Sequence, residues 1–198
     1  MEAINLRNGR ALIVVAHPDD ETIWAGGVLL RHKNISWTIF SLCRKDDEDR
    51  MPKFFLAAKF YKACGIISDL DDEGNITPQE SIFSIKKRIR NELPEKKFDY
   101  IFTHGPEGES NHPRHKEVSL AVKEMLRKNE LAASQVFYFA YKLDKKKGVC
   151  LPSASPDFYL KLSSEEFKTK QNIITGLYGF SKLSFENRSC SIIETFNS

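Results

Sequence analysis

Short apolar runs, which predict buried strands, alternate along this chain with stretches whose apolar residues recur at helical spacing. Such alternation is typical of βαβ units built around a mostly parallel sheet. The predicted strands are 11–16, 36–43, 66–70, 99–103 and 135–141, with another near 190–196. The predicted helices are 21–32, 53–63, 78–93, 113–128 and 164–176, and the polar stretches 44–52 and 104–111 are predicted loops. We therefore expect an α/β fold in which helices flank a mostly parallel sheet.

Length, charge and cysteine content narrow the class of protein without identifying it. The chain has 198 residues, 41% hydrophobic and 29% charged, which predicts one domain spanning residues 1–198. A formal net charge of +3 is small for a nucleic-acid-binding protein, so we expect no nucleic-acid partner. The four cysteines form no C-x-x-C motif and are expected to be reduced and mostly buried. No leader sequence or bilayer-long apolar run is present, so we expect a cytoplasmic protein without a membrane span.

Two motifs rich in histidine and carboxylate follow predicted strands. Residues 16–21 (Ala-His-Pro-Asp-Asp-Glu) come directly after the first strand, and residues 112–115 (His-Pro-Arg-His) begin the helix after the fourth strand. Open α/β sheets bind their ligands at the carboxyl ends of the strands. We therefore expect the two motifs to meet at one edge of the sheet.

The residue types in these motifs suit a metal-dependent hydrolase. His17 and Asp20 are three residues apart, as are His112 and His115, and this spacing puts paired side chains on the same side. Catalytic zinc needs three protein ligands and an open position for water. A carboxylate that does not bind the metal can then take a proton from that water. An unligated histidine, kept cationic by nearby carboxylates, can stabilise the developing oxyanion. Together these groups can cleave an amide.

The two motifs, with the adjacent glycines at 26–27, resemble those of the LmbE-like/PIG-L deacetylase family. The resemblance extends over about residues 10–140 and implies a Rossmann-like fold and zinc-dependent removal of acetyl groups from N-acetylglucosamine conjugates. It also implies the roles of five residues: His17, Asp20 and His115 as metal ligands, Asp19 as general base, and His112 as the cationic partner.

Further features of the resemblance concern the substrate rather than the metal. By resemblance, the loops that carry Arg50, Asp71 and Asp72 would line the sugar site. Three positions depart from the pattern of the family. Arg114 replaces a frequent Asp or Asn, Ser110 replaces a tyrosine found in some members, and Lys53 replaces an acid after the second strand.

Several candidate residues also have an ordinary structural interpretation. Acids at 19–21 are common at helix N-termini, where they favour the helix dipole, and Glu21 is expected to be structural. His32 is expected to be solvated at a helix end. His104 follows a strand, so a place at the rim of the site is open to it, but a loop histidine is favoured. The loop charges Glu107 and Glu109 are expected to face solvent.

The sequence thus predicts a zinc-dependent hydrolase that removes the acetyl group from an N-acetylated amino sugar, with metal-bound water as nucleophile and Asp19 as general base. Fe²⁺ or another divalent metal would suit the same ligand types. The expected partner is a small-molecule amino sugar, and a homo-oligomer is allowed. Two alternatives stay open: an amidase acting on a non-sugar amide conjugate, and a degenerate, non-catalytic sugar-binding or assembly protein.

Overall fold

The computed structural model describes residues 1–198 as strands and helices that alternate over the first two thirds of the chain. The strands are β1 (Glu2–Ala3), β2 (Gly9–Val15), β3 (Ile35–Cys43), β4 (Cys64–Leu70), β5 (Lys97–Thr103), β6 (Ala132–Phe139), β7 (Tyr141–Asp144), β8 (Val149–Pro152), β9 (Phe158–Lys161) and β10 (Ile193–Asn197). The helices are α1 (Asp20–Arg31), α2 (Arg50–Phe60), α3 (Pro78–Glu92), α4 (Pro113–Arg127), α5 (Ser164–Asn172) and α6 (Phe185–Ser189). A π-helical turn, Ile173–Leu177, extends α5.

Eight strands form one sheet in the order β1-β9-β10-β6-β5-β2-β3-β4. The five strands from β6 to β4 are parallel, whereas β10 runs antiparallel to both β6 and β9. Strands β7 and β8 pair as a separate antiparallel hairpin. The chain winds outward from β2 in both directions, so β2 and β5 mark the switch point of the sheet. The predicted α/β, Rossmann-like class with a mostly parallel sheet flanked by helices is confirmed.

The central strand β2 is buried on both faces, as expected for a parallel sheet covered by helices. Ala11, Ile13 and Val15 belong to a core cluster of 29 buried residues. The alternating residues Leu12 and Val14 belong to a second cluster of 17 on the opposite face. Because side chains pack against both faces of β2, the C-terminal end of this strand holds the following motif, residues 16–21, in a fixed position.

Helix α1 is kinked, and the C-terminal strand β10 stabilises the kink. Ala25 has non-helical dihedrals (φ −138°, ψ 15°) inside α1. Glu194 of β10 accepts the backbone N–H groups of Gly27 and Val28 at 2.6 and 3.0 Å, and the buried Lys170 ammonium donates to it at 2.6 Å. The carboxylate therefore caps the second half of α1, and the lysine compensates its buried charge.

The structure differs from the sequence prediction mainly in the C-terminal third. Strands β7, β8 and β9 and helix α6 are absent from the prediction because each has only four or five residues, too few to show a period. Helix α2 begins at Arg50, inside the predicted loop 44–52, since a proline in the first turn of a helix is tolerated. His32 is buried and its ring contacts the Val28 carbonyl at 3.1 Å, so the expectation that it is solvated is wrong.

Three of the four cysteines are buried and all four are free thiols, as the sequence predicts, and Cys64 is exposed. None of the helices has the length and apolar character needed to cross a membrane.

Candidate metal centre and its pocket

The two motifs meet at the carboxyl edge of the sheet, beside the switch point. His17 lies in the turn between β2 and α1, Asp20 is the first residue of α1, and His115 lies in the first turn of α4. Strands β2 and β5 are parallel neighbours, so the segments that follow them emerge at the same edge. The predicted convergence of residues from two distant segments is therefore present in the fold.

Three ligand-type atoms form a nearly equilateral triangle. His17 Nδ1 lies 3.3 Å from Asp20 Oδ2, His115 Nε2 lies 3.4 Å from the same oxygen, and the two nitrogens are 3.3 Å apart. A tetrahedral site with bonds of about 2.0–2.1 Å has edges of about 3.3–3.4 Å. The triangle therefore matches one face of a tetrahedral zinc site, and two nitrogens with one carboxylate oxygen suit zinc or Fe²⁺.

Hydrogen bonds on the outer side hold His17 and Asp20 in this arrangement. His17 Nε2 donates to Asp72 Oδ1 at 2.9 Å, so Nδ1 is the ring nitrogen that faces the triangle. Arg44 donates to the other Asp72 oxygen at 2.7 Å. Trp24 Nε1 donates to Asp20 Oδ1 at 2.8 Å, and the His17 backbone N–H donates to Asp20 Oδ2 at 2.9 Å, so both oxygens of this carboxylate are oriented. A metal ligand whose second polar atom is fixed in this way keeps its tautomer and orientation.

The electrostatics of the triangle favour a cation. Burial lowers the pKa of His17, but hydrogen bonds to the carboxylates of Asp20 and Asp72 outweigh it and raise the pKa to about 9. Two carboxylates that stabilise a proton on an imidazole also stabilise a divalent cation in its place.

The third corner of the triangle, His115, is hydrogen-bonded on its outer side by Glu109, whose environment the sequence analysis predicted wrongly. Glu109 is buried, with only 3% of its surface exposed, and its Oε2 lies 2.7 Å from His115 Nδ1. The same oxygen lies 2.7 Å from Nδ1 of His104, which is fully buried. The expectation that Glu109 faces solvent is wrong. His104 lies in the loop after β5, as expected, but it is buried against Glu109. Glu107, by contrast, is exposed.

Asp19 lines the pocket beside the triangle in a strained backbone conformation. Its φ of 113° is rare for a residue other than glycine. Glu21 is buried and accepts hydrogen bonds from the Asp19 N–H at 3.0 Å and from the Tyr178 hydroxyl at 2.8 Å. These contacts agree with the structural role expected for Glu21. Burial and the adjacent Asp20 carboxylate raise the pKa of Asp19 well above its usual range, against the opposing charge of Arg50. Raised proton affinity suits a carboxylate that must accept a proton.

His112 also lines the pocket, but its electrostatic state differs from the expected one. Its Nδ1 accepts the Arg114 N–H at 3.2 Å, which requires the lone pair of a neutral ring nitrogen. Burial and the positive charges on His115 and His17 lower the pKa of His112 to about 4. The imidazole is therefore neutral at pH 7, with its hydrogen on Nε2, rather than cationic as predicted.

The pocket holds about 360 Å³ and is mostly polar. Beyond the two motifs, its wall comes from four parts of the chain: Ile23 and Trp24 in α1, Arg44, Asp47 and Arg50 after β3, Ser110 before α4, and Phe185 and Glu186 at the start of α6. The volume is sufficient for a monosaccharide with its N-acyl group, and the mixture of donors and acceptors suits hydroxyl groups.

The residues carried over from the resemblance as substrate ligands lie in different environments. Arg50 lines the pocket, donates to Asp19 Oδ2 at 3.0 Å, and stacks over the Phe180 ring at 4.3 Å. Asp72 contacts His17 rather than the open pocket. Asp71 is outside the pocket lining and accepts from the Asn75 side chain at 2.9 Å.

Two of the departures from the family pattern are directed away from the pocket. The Arg114 side chain is buried against Glu117 at 2.5 Å and Ser81, between α3 and α4. Lys53 pairs with Asp49 at 2.7 Å on α2. Only Ser110, the third departure, lines the pocket.

The sequence analysis did not assign several residues to the site, among them Trp24, Glu109, Phe185 and Glu186. Trp24 lies four residues after Asp20, one helical turn away, and that spacing is a signal that could have found it. Phe185 and Glu186 reach the pocket only through the packing of the C-terminal third against α1, which no local pattern predicts.

Comparison with known proteins gives the same picture of the fold. Residues 12–126, more than half of the chain, match the family model described as PIG-L, GlcNAc-PI de-N-acetylase. No curated protein sequence matches the chain. The N,N'-diacetylchitobiose deacetylase of Pyrococcus horikoshii superposes with a TM-score of 0.69 at 15% identity, covering 98% of this chain and 86% of that one.

Two further solved structures share the fold, and their named reactions differ from each other. The A40926 pseudoaglycone deacetylase Dbv21 has a TM-score of 0.65 at 14% identity, over 87% of this chain and 83% of its own. The 4-carboxy-2-hydroxymuconate hydratase GalB of Pseudomonas putida KT2440 has a TM-score of 0.59 at 17% identity, over 88% and 80%. A hydratase among these neighbours means that the fold alone does not set the reaction. The family model, which covers both motifs, does set the family: this chain belongs to the PIG-L family.

Proposed function

We propose that this protein is a metal-dependent N-deacetylase that hydrolyses the acetamide of an N-acetylated amino sugar, with zinc as the metal. The observation that carries the proposal is the triangle of His17 Nδ1, Asp20 Oδ2 and His115 Nε2, which has the edge lengths of a tetrahedral zinc site. The named activity of the family and of two structural neighbours supports deacetylation rather than hydration.

The metal ligands would be His17, Asp20 and His115. A divalent cation held by them would supply a water of lowered pKa and would polarise the amide carbonyl. The protein contributes the fixed orientation of the three ligands, because their outer polar atoms are already hydrogen-bonded.

Proton transfer is assigned to Asp19. Arg50 holds its Oδ2, which leaves Oδ1 to accept the proton of the attacking water and later return it to the leaving amine. The raised pKa of Asp19 favours the first of these steps. The strained backbone at Asp19 fixes the direction in which this carboxylate points.

His112 is assigned to the developing oxyanion as a neutral hydrogen-bond donor. Its Nδ1 is occupied by the Arg114 N–H, so the hydrogen is carried on Nε2. A preorganised donor of this kind contributes about 10²–10³ in rate when it faces the oxyanion.

Recognition of the sugar is assigned to the wall of the pocket. Arg44 and Arg50 can donate to hydroxyl oxygens, and Glu186 can accept from hydroxyl groups. Because Phe185 and Glu186 belong to the C-terminal third, we propose that residues 1–198 act as one catalytic unit. A cytoplasmic location and a homo-oligomeric state remain predictions.

The proposal is tested by elemental analysis of the purified protein together with acetate release from a panel of acetylated substrates. We expect one equivalent of a divalent metal and acetate release from N-acetylglucosamine conjugates. Acetate release from non-sugar acetamides alone would show that the substrate is a non-sugar amide rather than an amino sugar. Metal-replete protein that binds amino sugars but releases no acetate would instead identify a binding protein.

A further inference from the structure

The loop that joins β5 to α4 has a backbone shaped to bring one carboxylate into the interior. Gly108, Glu109 and Asn111 all have positive φ values, of 67°, 40° and 67°. At Gly105, a Cβ would lie 2.4 Å from the Phe139 carbonyl oxygen, so only glycine fits there. Positive φ at residues other than glycine persists where the surrounding contacts require it.

Glu109 is the residue that this loop delivers. Its Oε2 bonds Nδ1 of both His104 and His115 at 2.7 Å, and its Oε1 accepts the Gly105 N–H at 2.7 Å. The two imidazole rings that share Oε2 are stacked, with centroids 3.9 Å apart and planes inclined by 20°. None of these groups is part of either sequence motif except His115.

The hydrogen-bond pattern fixes the tautomer of each ring. The Ala16 N–H donates to His104 Nε2 at 3.0 Å, so the hydrogen of His104 is on Nδ1 and points at Glu109. The carboxylate can only accept, so it takes the Nδ1 hydrogen of His115 as well. His115 Nε2 is then left with its lone pair directed at the triangle with His17 and Asp20.

We propose that Glu109 is the positioning residue of the metal centre, fixing the tautomer and orientation of His115, and that His104 in turn fixes Glu109. This inference rests on the metal site proposed above. It assigns His104 to the support of Glu109 and not to the metal, although its Nε2 lies 3.5 Å from Asp20 Oδ2, because the Ala16 N–H occupies that nitrogen.

The test compares Glu109→Gln with Glu107→Gln, an exposed glutamate two residues away in the same loop. A Gln at 109 keeps the volume but has one oxygen and one NH₂ group. If the oxygen faces the two rings, the NH₂ faces the Gly105 N–H donor; if the NH₂ faces the rings, it opposes their Nδ1 hydrogens. Zinc affinity is measured by competition with a chromogenic chelator, and the site geometry by the visible absorption of the Co²⁺-substituted protein. The kinetic constants kcat and KM are measured alongside.

We expect E109Q to bind zinc about 10–100-fold more weakly than the parent and to shift the Co²⁺ bands. Its KM should be unchanged while kcat falls, because Glu109 does not line the pocket. E107Q should match the parent in every measurement. An E109Q variant with parental zinc affinity and Co²⁺ spectrum would overturn the inference, whereas a parent protein that binds no metal would instead overturn the proposed function.

Two further measurements guard against a variant that fails to fold. In ¹⁵N-labelled, zinc-loaded parent protein, long-range ¹H–¹⁵N spectra should show the hydrogen of His115 on Nδ1 and the metal on Nε2. The opposite tautomer would contradict the proposal without any mutation. His104→Phe keeps the stacked ring, and we expect it to weaken zinc binding less than E109Q does. A loss of metal as complete as that caused by removing His17 would show His104 to be a ligand.

Discussion

The first two thirds of the chain and the last third contribute differently to the same pocket. The triangle of His17, Asp20 and His115 and the neighbouring Asp19 come from segments between β2 and α4, within residues 12–126 that match the family model. The last third adds short antiparallel strands, Tyr178 behind Asp19, and the pocket wall at Phe185 and Glu186. The first region thus supplies the triangle, Asp19 and the residues that hold the triangle, whereas the last third completes the pocket wall and packs behind Asp19. Variants in the first region should abolish metal binding or turnover. Variants in the second should have smaller effects on stability, on substrate affinity or, through Glu21, on turnover.

The largest effect is expected from removing a ligand in the first region. His115→Ala leaves two ligand atoms of the triangle and a cavity behind them. We expect zinc content to fall below about a tenth of an equivalent, with acetate release undetectable, because a tetrahedral catalytic site needs its three protein ligands. Metal content is measured by elemental analysis after dialysis, and circular dichroism checks the fold. Full metal occupancy in this variant would remove His115 from the coordination sphere.

The second variant separates the base from the metal within the same region. Asp19→Asn should retain one equivalent of metal while kcat falls by about 10²–10⁴, because the amide cannot accept the proton of the attacking water. Asp46→Asn, an exposed acid outside the pocket lining, is the matched control and should leave kcat unchanged. Equal kcat values for D19N and the parent would mean that another group accepts the proton.

The third variant moves to the second region and acts on stability. Glu194→Ala leaves the buried Lys170 ammonium without its carboxylate partner. It also leaves the backbone N–H groups of Gly27 and Val28 without an acceptor. We expect the free energy of unfolding to fall by about 3–5 kcal/mol. Urea denaturation followed by circular dichroism measures it.

A paired variant distinguishes the buried charge from the helix cap. Lys170→Met combined with Glu194→Gln removes both charges and keeps an amide oxygen for the Gly27 N–H. We expect it to lose less stability than Glu194→Ala alone, since removing both partners avoids an unpaired buried ion. If the double variant is the less stable of the two, the Lys170–Glu194 ion pair is a net stabilising interaction in its own right.

The fourth variant tests whether a residue of the last third affects the position of Asp19, the proposed general base. Tyr178→Phe removes one hydrogen bond to Glu21, which holds the Asp19 N–H. We expect a loss of about 0.5–1.5 kcal/mol in stability. A several-fold fall in kcat at constant KM should accompany it, as Asp19 samples unstrained conformations. Phe180→Leu, also in the second region but stacked on Arg50, should change KM instead. Identical effects of the two variants on kcat and KM would mean that this region acts on stability alone.

The same division explains what the sequence could predict. Long parallel strands such as β2 and β3 are recognisable from continuous apolar runs, and the motifs at their ends place His17 and Asp20 by simple periodicity. Glu109 could not be predicted, because its burial depends on a loop in which three of four neighbouring residues, 108, 109 and 111, have positive φ. The wall at Phe185 depends on a five-residue helix whose position is set by tertiary packing. Local pattern is informative where an element is long, and it fails where a short element is held by distant contacts.

The smallest expected effect concerns an ion pair that joins the two regions at the surface. Arg31, at the end of α1, bonds Glu166 in the first turn of α5 at 2.9 Å. The hydrogen bond from Arg31 lowers the pKa of Glu166 from 4.5 to about 2. A carboxylate whose pKa is depressed in the folded state stabilises the protein above its unfolded pKa, and this stabilisation is lost as the pH falls through the folded value.

The stability difference between the parent and Glu166→Gln should therefore be constant above a pH of about 4.5 and decline toward zero near pH 2. Its size should be below about 1 kcal/mol, because both side chains are partly exposed and solvent screens the pair. Urea denaturation of both proteins between pH 2 and pH 7 measures the difference, and 0.5 M NaCl should shrink it. A difference that grows as the pH falls would have the wrong sign for an ion pair, and the contact between α1 and α5 would then rest on packing alone.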